Sequence, residues 1–343
     1  MSVITTPETQ AHLAGGAADL VEHGAGDGAG GDGPGRRPAR GIRRIRPVRH
    51  PKGIDPTRRQ QAVSAGIFLF VPVALFAVFG MLPIVIAAVI SFTDYAIIGD
   101  AAFVGGDNFA RILDDPFFWI SLRNTAWYTL LYVPLGLVVA LATALLLNRK
   151  ARAVRLFRTL FYIPVVSSTV ATASIWFWLL NPQYGLLNTA LGWVGIDGPA
   201  WLYSSQWAMP AIVLMSVWAG FGGNMIIFLG GLQSVPEELK EAARLDGANA
   251  WQVFRHVTVP ALSRTTFLVS TLLIIGAFQV FDQAYVLTKG GPGNSTITIV
   301  YYIYNKGFGS LEMGYASALS FVLFAIILVF SLINARLTNR GRA

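Results

Sequence analysis

Long apolar runs separated by short polar stretches set the pattern of this chain. Six runs stand out, near residues 62–92, 121–147, 159–181, 207–232, 265–287 and 314–335. A helix needs about 20 apolar residues to cross a bilayer, and each run reaches that length. The pattern predicts an all-α polytopic membrane protein with six transmembrane helices. Pro72, Pro83, Pro134, Pro164 and Pro210 fall inside the runs. Proline removes a backbone donor and kinks a helix, which is tolerated where the helix packs in a bundle or lines a cavity.

The polar stretch at 233–262, between the fourth and fifth runs, carries its own helical signals. Ser234 followed by Glu237 has the form of a capping box, with Pro236 between them in the first turn. Leu239, Ala242, Ala243 and Leu245 continue a helix to Asp246, where Gly247 breaks it. Asn249 and Gln252 open a second helix bearing Trp251, Phe254 and Val257, and Val259-Pro260 is expected to end it before the next span. Glu237, Glu238, Glu241 and Asp246 balance Lys240, Arg244, Arg255 and Arg264. The stretch is therefore neutral and partly apolar, suited to a protein groove rather than to anionic lipid.

Composition supports the membrane reading. Of 343 residues, 54% are hydrophobic and only 13% charged. The net charge of +8 is concentrated in a Gly- and Ala-rich segment, residues 1–60, that ends in a basic run from Arg36 to Arg59. Without apolar periodicity, this segment reads as a disordered cytoplasmic tail brushing anionic membrane lipid, and no nucleic-acid partner is expected. All but four of the 26 Lys and Arg lie in the tail, in the loops at 148–158 and 233–264, or at the C-terminus; 338–343 reads as a second short tail. Arg111, Arg123, Lys289 and Lys306 lie on the other side. This asymmetry predicts a multi-pass protein with both termini cytoplasmic. Trp119, Trp127, Trp176, Trp178 and Trp207 read as an interfacial belt at the outer leaflet.

Catalytic chemistry finds little support. The chain has no cysteine, and His12, His23 and His50 lie in the tail with His256 alone elsewhere, so no metal cluster is expected. No phosphate-binding loop is present; in the stretch from Lys289 to Thr296 the lysine precedes the glycines. The chain is expected to be a non-catalytic subunit that binds no cofactor of its own.

Glu241-Ala242-Ala243, Gly247, Val257, Val259 and Pro260 match, position by position, the EAA loop of membrane subunits of binding-protein-dependent ABC importers, with valine where that motif has isoleucine and leucine. The run from Phe281 to Pro292 is similar to the end of the fifth span in carbohydrate-type importers, in the maltose-type first permease chain. Asn108-Phe109 and Phe161-Tyr162-Ile163-Pro164 fit the same group. The chain resembles that family over about residues 62–337 and lacks the large outer domain of the best-known maltose permease. The resemblance implies a type I ABC importer permease fold in a bacterial plasma membrane. It also implies a second permease chain, two nucleotide-binding ATPase subunits that hold ATP-Mg, and an extracellular solute-binding protein that delivers a sugar. By the same resemblance, residues 233–262 form a coupling loop in which Glu241, Ala242, Ala243, Asp246, Gly247 and Pro260 meet the ATPase.

Asp282 is the one acid placed within a span, and an ionisable group there is costly and a functional candidate. Helical spacing puts Gly276, Gln279, Asp282 and Gln283 on one stripe of the fifth span. Their amides and carboxylate suit vicinal hydroxyls, while Ser216, Trp218 and Asn224 on the fourth span offer polar contacts and an apolar face for a sugar ring. An ion-coupled carrier is the competing reading, but it usually needs several embedded carboxylates or histidines.

Overall fold

The computed structural model describes residues 56–97, 99, 101–149 and 151–340. The expected disordered tail falls outside the described residues except for its last few positions, and so do residues 341–343. The main compact unit is Ser64–Ala343. It is helical, with isolated β-bridges pairing Thr93 with Phe103 and Ala96 with Glu312.

Four spans are long helices. Helix α1 (Pro56–Phe76) passes through a π turn, Ala77–Met81, into α2 (Leu82–Ile90), with Pro83 at the entry of α2. After a short α3 (Asp107–Asp114), α4 (Pro116–Leu147) continues unbroken through Pro134. The remaining two are α8 (Ala208–Gln233) and α15 (Met313–Arg340). Helix α8 is central: 56% of its most apolar window is buried, against 28% for α4 and 22% for α15.

The third and fifth spans depart from the continuous helices expected. In the third, α5 (Arg152–Val166) and α6 (Thr169–Leu179) meet at 100°. Ser167 and Ser168 are extended at the break, just after Pro164, which cannot donate to the preceding turn. In the fifth, α12 (Ser263–Phe278) stops at Gln279 and the chain restarts as α13 (Asp282–Leu287). The Val280 carbonyl freed by this break accepts from the buried Thr298 hydroxyl at 2.8 Å. Side-chain rescue of that kind is what allows a helix to break at membrane depth. Four helices are long and apolar enough to span, or six when α5 is joined with α6 and residues Ala250–Ala261 with α12, the two pairs that bend sharply at a short break. Two short helices on the connections that follow the third and fifth spans, α7 (Leu186–Trp193) and α14 (Ile299–Tyr304), complete the set outside the 233–262 stretch.

Lipid tails are as apolar as leucine, so close packing rather than expulsion of water holds spans together. One core cluster joins Ala140, Ala144, Met225, Phe228 and Leu273 from α4, α8 and α12 with Leu262 just before α12. Another joins Tyr128, Trp176, Met209, Val213, Ala277 and Ala284. A third, around Phe118, Phe278, Ile299, Tyr315 and Leu319, ties α15 to α4 and α12. Glycine permits the closest approaches: a Cβ on Gly222 would overlap the Phe161 carbonyl oxygen of α5, and one on Gly231 would overlap the Thr265 hydroxyl of α12.

Candidate functional site

The stretch at 233–262 folds as the helix–turn–helix its local signals predict, with two corrections. Helix α9 spans Glu237–Leu245 and α10 starts at Ala250 (Ala250–Val253). Gly247 has φ +86°, a left-handed conformation that glycine adopts without strain. The Gly247 amide donates to the Arg244 carbonyl at 3.0 Å, and the Ala248 amide to the Ala243 carbonyl at 2.9 Å. These two bonds are the Schellman arrangement that satisfies the last carbonyls of a helix. The Asn249–Gln252 capping box forms in both directions, at 3.0 and 2.8 Å.

The first correction concerns Ser234. Its hydroxyl donates to the Gly231 carbonyl at 2.7 Å, and the extended Pro236 occupies the cap position without a side-chain bond. The second concerns Pro260. It does not stop the helix: a π turn (Phe254–Thr258) leads into α11 (Val259–Ala261), which contains it. The bend of 68° into α12 comes at Leu262, whose side chain is buried in the core.

The outer face of this element is bare. Glu241, Ala242, Asp246 and Gly247 are exposed and Ala243 half-buried. Leu245 is 89% exposed and Trp251 65%. Within α9, Lys240 and Arg244 turn to Glu237 at 2.8 and 4.0 Å, which leaves Glu241 outside the ion pairs found among the described residues. The Lys240 hydrogen bond holds the Glu237 carboxyl below its usual value. Ala243, Gly247, Ala248, Gln252 and Val257 line a shallow cavity of about 350 Å³ between the two helices. An apolar, glycine-hinged ridge on a polar loop is the shape of a contact surface.

The second set of candidates gathers less tightly. Helix α13 packs on α6 and α8, so Asp282, Gln283 and Trp218 belong to one corner of the bundle. Trp218 is half exposed and meets Trp176 edge-on at 5.8 Å. Trp176 itself is buried and so is not part of the expected belt, whereas Trp119, Trp127, Trp178 and Trp207 are exposed. Gln279 and Asp282 are exposed, but the break at 279–281 removes the common helical stripe expected for Gly276, Gln279, Asp282 and Gln283. The half-buried Asn224 reaches only the Gly220 carbonyl, at 3.4 Å. Ser216 is 3% exposed and its hydroxyl donates to Ile212, so it packs the core instead of offering a polar contact.

A polar clasp at the N-terminal end of α4 has no counterpart among the expected sites. Asp115 caps α4 through the Phe117 amide and accepts hydrogen bonds from the Tyr302 and Tyr315 hydroxyls, the latter at 2.6 Å. Arg111 lies 4.1 Å from the Tyr315 ring centre and pairs with Glu312 at 2.6 Å; Lys306 holds the other Glu312 oxygen at 3.0 Å. The clasp ties α3, α4, α14 and α15 together. Only the cap was legible in sequence, as an aspartate before a first-turn proline. Burial raises the Asp115 carboxyl, but the bonds from Tyr302, Tyr315 and the Phe117 and Phe118 amides outweigh it and the net shift is downward. A carboxylate lowered on folding stabilises at pH above its unfolded value, and that stabilisation is lost as pH falls through the folded value. Asp115→Ala is expected to lower stability by about 2 kcal/mol at neutral pH, through the lost cap and charged hydrogen bonds. The loss should be read as a drop in thermal midpoint that shrinks below about pH 4. A pH-independent drop would contradict an ionised Asp115.

The family model for binding-protein-dependent transport system inner membrane components matches residues 133–342. The chain belongs to that family. A probable ABC transporter permease protein of Pyrococcus horikoshii is 35% identical over 266 residues, covering 77% of this chain and 91% of the relative. The arabinooligosaccharides transport system permease protein AraP of Bacillus subtilis is 37% identical over 267 residues, covering 77% and 85%. Among solved structures, a bacterial alginate ABC transporter in complex with an alginate pentasaccharide-bound periplasmic protein contains a chain that superposes with TM-score 0.72 at 23% identity. That match covers 82% of this family member and 96% of the solved chain, and it establishes the fold. The type I importer permease architecture expected from the EAA resemblance is therefore the architecture found.

Proposed function

We propose that this chain is one of two permease subunits of an ABC importer and forms, with a second permease, the translocation pathway for a sugar or oligosaccharide. A solute-binding protein delivers the sugar from outside, and two partner ATPases bind and hydrolyse ATP-Mg. The observation that carries the proposal is the exposed, glycine-hinged pair α9–α10 set between two membrane spans, with Glu241, Ala242, Ala243, Asp246 and Gly247 on its open surface. A short rigid element of that kind can seat in a cleft of a motor subunit and transmit its closure as rigid-body motion of the spans. Pro260, inside the turn that leads to α12, makes the link to the pathway stiff. In this reading the loop is cytoplasmic, as are both termini, in the plasma membrane.

A saccharide substrate is supported by relatives such as AraP and by the chemistry of the α6–α8–α13 corner. There the half-exposed Trp218 offers a ring face, and Gln279, Asp282 and Gln283 offer hydroxyl partners, with Asn224 further along α8. The test is reconstitution of this chain with its second permease and ATPases in liposomes, with the loaded binding protein outside. Uptake of labelled sugar is expected to require internal ATP-Mg and to survive a proton uncoupler. Asp282→Asn should change the apparent KM for sugar several-fold with the assembly intact. Uptake by this chain alone, driven by a proton gradient, would refute the proposal.

A further inference from the structure

A cleft of about 500 Å³ opens beside the N-terminal half of α4, with a lining that shares no residue with the set Trp218, Gln279, Asp282 and Gln283. Its walls come from three distant parts of the chain: Arg123, Asn124 and Trp127 on α4, Ser205, Gln206 and Met209 at the entry of α8, and Ser295 in the loop that follows Gly290-Gly291-Pro292. Asn124 builds the site rather than facing a ligand. Its side-chain amide donates to the carbonyls of Asn294 and Ile297 at 2.8 and 3.0 Å, pinning the loop on both sides of Ser295. The Ser295 amide is used by Pro292, at 3.1 Å. Its hydroxyl oxygen is buried and has no partner. An unmet buried hydroxyl costs free energy, and polar atoms of this kind are rare unless something outside the chain meets them.

Arg123 is the second unmet group. Of the other three cations on that side, Arg111 and Lys306 pair with Glu312, while Lys289, like Arg123, takes part in no ion pair among the described residues; of the two, Arg123 lines the cleft. Arg123 and Trp127 are four residues apart on one helix, so guanidinium and indole share a face. Trp127 is half exposed and Gln206 and Ser205 are exposed. An indole face suits the apolar side of a pyranose ring, amide and hydroxyl groups suit its hydroxyls, and a free guanidinium suits a carboxylate or another acid substituent. A lipid phosphate would satisfy the guanidinium but leave the hydroxyl and amide groups idle.

We infer that this outer cleft binds a saccharide bearing an acid group, with Arg123 holding the acid, Trp127 stacking on the ring, and Ser205, Gln206 and Ser295 meeting its hydroxyls. The site serves the transport proposed above, as an outer subsite met before the α6–α8–α13 corner, and it rests on that reading.

The test compares digalacturonate with galactobiose, its neutral counterpart, by calorimetry on the assembled importer in phosphatidylcholine nanodiscs. Digalacturonate is expected to bind at least about tenfold more tightly at low salt, with the advantage lost in high salt, since exposed charges are screened. Arg123→Gln should erase the advantage, Arg123→Lys should restore part of it, and Trp127→Ala should weaken both sugars. Equal affinity for the two sugars, or an advantage that survives Arg123→Gln, overturns the inference. So does displacement of digalacturonate by phosphatidylglycerol nanodiscs in a manner that depends on Arg123 but not on Ser295, which would make the occupant a lipid headgroup. ATP-driven uptake of a neutral sugar without digalacturonate binding would remove this site and leave the transport reading standing.

Discussion

Gly247→Val is expected to abolish ATP-driven uptake and to strip the ATPase from the purified complex, while Gly247→Asn keeps much of both. The position isolates backbone conformation from packing. No atom lies within 4 Å of where a Cβ on Gly247 would be, so a side chain there meets open space. What it meets instead is φ +86°. A left-handed residue other than glycine costs roughly 1–2 kcal/mol, and more when β-branched; asparagine is the best tolerated substitute. The two bonds that close the turn, Gly247 to Arg244 and Ala248 to Ala243, depend on that conformation. Helix α9 is only nine residues long, and a helix so short is marginal without its cap. A penalty of about 2 kcal/mol is a factor of about 30 in the population of the folded turn. Uptake and ATPase retention should therefore fall together, in the order Gly, Asn, Ala, Val. A valine variant as active as the asparagine variant would separate the turn from coupling.

Signals that act within a few residues were readable along the chain, and those that act across it were not. The spans near 121–147, 207–232 and 314–335 could be placed because a long apolar run has no other stable home. Gly247 and the Asn249–Gln252 box were legible because a cap needs only its own turn. Ser234 shows the limit of the same logic. It has the right partner three residues on, but the Gly231 carbonyl competes for its hydroxyl and Pro236 takes the cap. The 100° bend after Val166 was hidden because Pro164 marks a break equally well as a kink in a continuous helix. The break after Gln279 is stabilised by Thr298, 18 residues from the Val280 carbonyl it meets, and so left no trace in the helical spacing of Asp282. The clasp on Asp115 joins residues separated by as many as 200 positions, and no local pattern announces that Tyr315 will donate to it.

Gly222→Ala is expected to destabilise the bundle by about 2 kcal/mol or more, because relief of an overpacked contact requires whole helices to shift. The new Cβ would overlap the Phe161 carbonyl oxygen, which is backbone and cannot rotate away. Either α5 moves off α8 or the α5 hydrogen bond made by that carbonyl is lost. The adjacent Gly223 provides the control, since its Cβ would sit 3.6 Å from a Val165 methyl, an ordinary contact. Gly223→Ala should be neutral or stabilising, because alanine is favoured over glycine inside a helix by about 0.5–1 kcal/mol. Thermal unfolding in detergent should thus move in opposite directions for two neighbouring, chemically identical substitutions. The consequence extends beyond stability. Helix α5 leads through the sharp turn at Ser167–Ser168 into α6, which carries Trp176 against Trp218, and Trp218 lies one turn before Gly222 on α8. Displacing α5 would therefore disturb the corner that holds Asp282 and Gln283, and uptake should fall with the melting temperature in Gly222→Ala but not in Gly223→Ala. Equal melting temperatures for the two variants would mean that α5 and α8 do not meet backbone to backbone, and the bend between α5 and α6 would lose its anchor.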